Sequence, residues 1–389
     1  MNNHSPTFAA NAAPGSAAHV PQESYHTENP SAFYYGPKFF GYGLSQRGSS
    51  HIENNLPCQD FNALRIVKTA THQFLVAIVA DGLGSCVMSH EGSRAAVQTV
   101  AEHCEHALRQ CTAPTDQQIQ EILRDAFSMA WNAIENHASA LNQIPFSFYT
   151  TLTATVYDGT KLHIGHIGDG GVVAVFRNNS IAMVTQRHKG DTANSVYPLQ
   201  SGENNWQFFT VDKPVIGYAV ATDGVLDHFV PPDNYSDLIY EPFLTRFLFR
   251  KISGVGKLKE SFVELDRFLS SQEYRSHVID DITLFIVGNT AALRNARPPA
   301  FDEKRWFAKV CAAQAAMQDK SNTGAPPQAE SCSERRKKYR PPLKRFAALH
   351  HTLYEYFIGG SRSSGKYASQ NKDHRHRKKR ITKEGEDTL

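Results

Sequence analysis

Seven charge-free residues, Phe74-Leu75-Val76-Ala77-Ile78-Val79-Ala80, run directly into Asp81-Gly82-Leu83-Gly84-Ser85. An apolar run of that length, stopped by Gly, reads as a strand buried within a core. Its aspartate then marks where the chain leaves that core. Gly82 and Gly84 let the backbone turn and let its carbonyls approach a ligand closely. Asp-Gly at a strand exit also serves ordinary turn chemistry, so repetition carries the inference. Residues 162–168 end at Asp169, and residues 215–222 end at Asp223. Asp280-Asp281 opens the run at 282–287, and Gln59-Asp60 opens the one at 61–67. Aspartates that recur at strand ends, with no accompanying His/Cys ligand set, suit hard cations such as Mg²⁺ or Mn²⁺.

A chain of 389 residues allows one large domain with extensions or two small ones. Its charge is divided along its length. From Ser331 onward, 16 Lys/Arg stand against 6 Asp/Glu, giving a +10 tail, while the remaining 25 against 32 make the body −7. Cys58, Cys86, Cys104, Cys111, Cys311 and Cys332 form no C-x-x-C pair, and are expected to be reduced thiols of a cytoplasmic protein. The start has no apolar h-region of a signal peptide, and no run approaches the roughly 18 apolar residues of a membrane span. Four segments are expected: a disordered leader (1–37), one folded domain (38–290), a helix and linker (291–330) and a disordered basic tail (331–389).

Within the domain, strands are expected at 61–67 and 73–80. A helix capped by Ser89 should run to Gln110, and a more strongly periodic one is carried by Ile119, Ile122, Leu123, Ala126, Phe127, Ala130, Trp131 and Ile134. A hairpin turns at Asp158-Gly159, a second at Asn178-Asn179, and a polar, turn-rich loop fills 187–205. Strands at 208–211, 215–222 and 282–288 and helices near 241–249 and 257–269 complete the pattern. Hairpins with interspersed helices, without βαβ alternation, make this an α+β fold.

The acidic stations and their order resemble the metal-dependent protein phosphatases of the protein phosphatase 2C (PPM) type, in a bacterial branch. The resemblance covers about residues 42–288. It is carried by Arg47-Gly-Ser-Ser-His51, Leu56-Pro57-Cys58-Gln59-Asp60, Ala80-Asp81-Gly82-Leu83-Gly84-Ser85, Tyr149-Thr150-Thr151-Leu152 and Gly165-His166-Ile167-Gly168-Asp169-Gly170. Lys189-Gly190-Asp191-Thr192-Ala193-Asn194, Ala221-Thr222-Asp223-Gly224 and Asp280-Asp281-Ile282-Thr283 complete it. It implies an antiparallel β-sandwich flanked by helices on both faces, with two Mn²⁺ or Mg²⁺ ions at one end and a third, weaker site. Asp81 would bridge both ions, the Gly82 carbonyl would bind one, and Asp223 and Asp280 would ligate the other. Asp60 would hold coordinated waters, and Asp169 matches the additional site. The implied reaction is hydrolysis of phosphoserine and phosphothreonine in proteins by a water activated between two cations. Arg47 and His51 are both candidates to clamp the phosphate.

Three positions depart from the family pattern: Gln59 stands where many relatives have Glu, Asp281 where Asn is frequent, and Leu83 where some carry a histidine. Gln59 keeps open a weak or non-catalytic binding protein of the same fold, and a small phosphomonoester remains an alternative substrate. His163 and His166 read as packing residues, His188 as a residue of the polar loop, Cys58 as a small buried hydrophobe, and Trp131 and Trp206 as core or loop anchors. Expected partners are a phosphoprotein and a Ser/Thr kinase or that kinase's target. The clusters Arg335-Arg336-Lys337-Lys338 and 375–380 could meet an anionic partner or membrane surface, or simply be solvated. No folded base-reading motif is present, so sequence-specific nucleic-acid binding is not expected.

Overall fold

The computed structural model describes residues 32–187, 196–230 and 238–322. Their strands form two antiparallel sheets. One runs, in spatial order, β1 (Ala32–Tyr35), β2 (Phe39–Gln46), β11 (Ile282–Asn289), β10 (Val215–Ala221), β7 (Gly171–Phe176) and β8 (Ile181–Met183). The other runs β3 (Asp60–Lys68), β4 (Gln73–Asp81), β5 (Leu152–Tyr157), β6 (Leu162–Ile167) and β9 (Gln207–Thr210).

The charge-free run at 74–80 is explained by burial on both faces of β4. Leu75, Ala77 and Val79 point into the layer between the sheets, where they meet Val172, Ala174, Tyr218, Val220, Phe285 and Val287. Phe74, Val76, Ile78 and Ala80 point outward, under helices α2 (Ser89–Gln110) and α3 (Asp116–Ala140). With both faces covered, strict alternation of polar and apolar residues disappears. The periodic stripe of α3 packs there as expected. Its first turn is closed by a capping box between Thr115 and Gln118, which satisfies donors that a helix start leaves open.

The outer face of the first sheet is covered by α4 (Asp223–Phe229), α5 (Glu241–Leu248), α6 (Val255–Leu269), α7 (Gln272–Arg275), α8 (Thr290–Asn295) and the start of α9 (Glu303–Asn322). A short α1 (Ser49–Glu53) follows β2. The architecture is therefore α+β, a two-sheet sandwich with helices on both outer faces. No helix among the described residues is long and apolar enough to cross a membrane.

Three expectations change. The leader yields its last residues to β1, whose Phe33, Tyr34 and Tyr35 pair with β2 along the sheet edge. The folded body also extends past residue 290, because Trp306 and Val310 are buried in the same cluster as Tyr240 and Phe243. Ser89 does not cap α2. Met88 occupies that position, and the Ser89 hydroxyl is buried inside the first turn. Residues 1–31, His188, the motif at 189–194 and the whole basic tail lie outside the described residues.

Candidate metal centre

Antiparallel pairing gathers the acidic stations at one end of the sandwich. Asp60 opens β3 and Asp81 closes β4, and the two are direct register partners. Asp169 lies in the turn between β6 and β7, Asp223 starts α4 directly after β10, and Asp280 and Asp281 precede β11. Asp60 and Asp281, 221 positions apart, thus come to the same edge because every strand involved begins or ends there.

Carboxylate oxygens of Asp81, Asp169 and Asp223 lie within 4.8 Å of one another, all three residues partly open to solvent. Asp60 and Asp280 stand outside this triplet. Asp60 is 1% exposed and accepts a hydrogen bond from Thr222 Oγ1 at 2.9 Å. The same hydroxyl accepts the Thr283 N–H at 3.2 Å, so one threonine links β3, β11 and the start of α4. Asp280 is exposed, and its Oδ1 accepts the Asp281 N–H at 2.8 Å. The resemblance paired Asp223 with Asp280. In the structure the carboxylate drawn up to Asp81 and Asp223 is that of Asp169.

Electrostatics follow from this crowding. Enclosure by the protein, then the charges of Asp60 and Asp223, hold the Asp81 carboxyl well above the usual carboxylate range. Asp223 is raised in the same way, by enclosure and then by Asp169 and Asp280, with Arg187 opposing. Burial, then Asp281, pushes Asp60 up to about 8. Carboxylates held this close resist ionising together unless a cation joins them. The donor set is entirely oxygen and offers three ligand atoms within one coordination sphere, which fits Mg²⁺ or Mn²⁺.

Gly82 follows Asp81, but its φ is not positive. Glycine is required there for a different reason: a Cβ would lie 2.6 Å from the Ser89 carbonyl oxygen. The backbone at Gly82 is fixed by its N–H to the Gln59 carbonyl at 3.1 Å and by a bridge to Thr150. Gln59 is buried, and its backbone N–H donates to Asp281 Oδ2 at 2.6 Å.

The two candidate phosphate clamps have other company. His51 is 8% exposed, and its Nδ1 lies 2.9 Å from Asp281 Oδ2. That contact raises the imidazole pKa and uses the ring as a partner for Asp281 instead of displaying it to a phosphate. Arg47 donates from Nη1 to the Leu56 carbonyl at 3.2 Å. Asp281, the departure from the frequent Asn, is 3% exposed and also accepts the Gly48 N–H on Oδ1 at 2.6 Å. It ties together the residues preceding Asp60 and the strand that follows Asp280.

His163 and His166 are buried and meet threonine hydroxyls through Nδ1, His163 with Thr210 at 2.9 Å and His166 with Thr153 at 2.8 Å. Trp206 donates from Nε1 to the Leu199 carbonyl at 2.9 Å and packs edge-on against Trp131. One site residue went unnoticed in the sequence, the buried Arg187 beside Asp169 and Asp227.

A family model described as Protein phosphatase 2C matches residues 47–261, more than half of the chain. The chain belongs to the protein phosphatase 2C family. No protein with a curated description matches it significantly. Among solved structures, it is similar to the serine/threonine phosphatase Stp1 from Staphylococcus aureus, at 14% identity and a TM-score of 0.44, over 68% of this chain and 97% of that one. The Mycobacterium tuberculosis serine/threonine phosphatase PstP/Ppp aligns at 17% identity and 0.42, over 65% and 99%. RsbX in complex with magnesium aligns at 13% and 0.40, over 67% and 100%. The family assignment rests on the sequence match.

Proposed function

We propose that this protein phosphatase 2C member hydrolyses phosphoserine and phosphothreonine in proteins with the help of Mn²⁺ or Mg²⁺. The observation that carries the reading is the triplet of Asp81, Asp169 and Asp223 oxygens within 4.8 Å at the strand ends. Those three side chains would hold the cations, with Asp280 at the exposed margin and the Gly82 carbonyl beside Asp81. Bound cations would supply neutralisation of the phosphate dianion and a lowered pKa for a coordinated water. Asp60, which accepts the Thr222 hydroxyl, would orient coordinated water. A phosphoprotein substrate that is a Ser/Thr kinase or that kinase's target, a signalling role and a cytoplasmic setting belong to the same proposal.

The test is phosphate release from p-nitrophenyl phosphate and from a phosphothreonine peptide, with Mn²⁺, with Mg²⁺ and with EDTA. Metal-dependent turnover of both is expected, and Asp81→Asn should reduce it by at least about 100-fold while the fold persists, since the ligand and its charge are lost together. Turnover of the small ester alone would favour a small-molecule substrate. Turnover that survives EDTA, or full activity in Asp81→Asn, would overturn the metal assignment.

A further inference from the structure

Arg187 follows β8 and is almost entirely enclosed, its side chain 5% exposed. Its segment is anchored on both sides. Thr185 Oγ1 accepts the Val172 N–H at 3.0 Å, and Gln207 Nε2 donates to the Gln186 carbonyl at 2.8 Å. From this fixed base the guanidinium reaches two elements of the metal centre. Nε donates to the Asp169 carbonyl at 2.5 Å, and Nη2 donates to Asp227 Oδ1. Asp169 sits in the β6–β7 turn. Asp227 lies one helical turn after Asp223 on α4. The arginine therefore clasps the turn that supplies one clustered carboxylate to the helix that supplies another. Nη1 is buried with no partner among the described residues, so the group is not explained by hydrogen-bond satisfaction alone.

We propose that Arg187 is a positioning residue for the metal centre, holding the Asp169 turn against α4 so that the Asp169 and Asp223 carboxylates stay within one coordination sphere. The inference rests on the metal-dependent reading above. Planarity is essential to the role. A guanidinium presents several donors in a fixed fork, whereas a lysine ammonium is a single point on a flexible stem. Charge alone would act in the opposite sense, because a cation beside the cluster disfavours binding of further cations. The two contributions can therefore be separated by the direction of change.

The experiment is Mn²⁺ titration of the full chain, read by the electron paramagnetic resonance of free Mn²⁺, with melting curves at each end of the titration. Variants are Arg187→Met, Arg187→Lys, Asp169→Asn and the Arg187→Met/Asp169→Asn pair. Supports around metal ligands typically change affinity about 10–100-fold. Arg187→Met and Arg187→Lys should both weaken the Mn²⁺ event in which Asp169 takes part by that factor. In the Asp169→Asn background, Arg187→Met should add little, because residues acting through one another are not additive. Tightened Mn²⁺ binding in Arg187→Met, an unchanged isotherm, or a full further loss in the Asp169→Asn background would each overturn the proposal. Should Arg187→Met fail to fold, Asp227→Asn cuts the outer contact at a residue whose side chain is 42% exposed, and the same weakening is expected there in smaller degree. Absence of Mn²⁺ binding by the wild-type chain would instead overturn the metal reading itself.

Discussion

At the scale of single residues, Asp281 organises the margin of the centre. Its two oxygens accept the Gly48 and Gln59 backbone N–H groups and face His51 Nδ1. Removing a partner from such a buried arrangement leaves a polar group unsatisfied, at a typical cost of about 1–3 kcal/mol. His51 makes part of this stability pH-dependent. Its folded-state pKa is raised, chiefly by Asp281, so the pair's contribution is complete below the unfolded histidine value of about 6.5 and fades as pH rises through the folded one. The stability difference between wild type and His51→Gln, measured by denaturant unfolding with EDTA present, should therefore be largest near pH 5.5 and shrink toward pH 8.5. A difference that is flat over this range would show that His51 has the same pKa in the folded and the unfolded chain. Nothing in the local sequence announced this role. His51 and Asp281 are 230 positions apart, and the family resemblance offered the histidine, with Arg47, as a candidate phosphate contact.

At the scale of elements, the strands were legible because burial wrote them into the sequence. The apolar run at 74–80 and the hairpin turn at Asp158-Gly159 left few other readings, and the acidic residue at each strand end marked the edge that antiparallel pairing would bring together. The stripe on α3 was equally plain. Short elements were not: α1 and α4 span 5 and 7 residues, too few to show a period, and α4 is held by tertiary contact. A Cβ on Gly224 would lie 1.9 Å from the Asp281 carbonyl oxygen, a constraint invisible without the neighbouring strand. The shared edge has a measurable consequence. Asp60, Asp81 and Asp223 have folded-state pKa values above their unfolded ones. Their contribution to the metal-free fold is thus favourable below about pH 4 and is lost as pH rises, for Asp60 through about 8. Mn²⁺ displaces those protons, so its stabilisation by mass action should grow with pH. Melting curves with EDTA and with millimolar Mn²⁺ should be separated more widely at pH 8 than at pH 5.5. Equal separation at both would mean that cations do not compete with these protons.

At the scale of the whole molecule, the question is where the folded body ends. The sequence reading ended the folded domain at 290, yet Trp306 is 6% exposed, stacks edge-on against Tyr240 and donates from Nε1 to the Leu238 carbonyl at 2.9 Å. Trp306 and Val310 lie one helical turn apart on α9, but what they pack against is 60 to 70 positions away in sequence, so their docking had to come from the structure. Truncation after Asn322 should leave a folded protein with unchanged turnover of p-nitrophenyl phosphate. Truncation before Glu303 should not be equivalent, because it removes Trp306 and Val310 from the core. Trp306→Ala alone should cost about 3–5 kcal/mol, as buried aromatic truncations do. The basic residues beyond 331 make a separate contribution. Joined to an acidic body, a +10 tail gives the full chain a local attraction for polyanions that the net charge of +3 conceals. Full-length protein should bind heparin or vesicles rich in anionic lipid at low ionic strength and release them as salt shortens the screening length. The chain ending at Asn322 should bind neither. Retention by the truncated chain would place the anion-binding charge on the body, and indifference of the full-length chain at low salt would leave the tail a solvated extension.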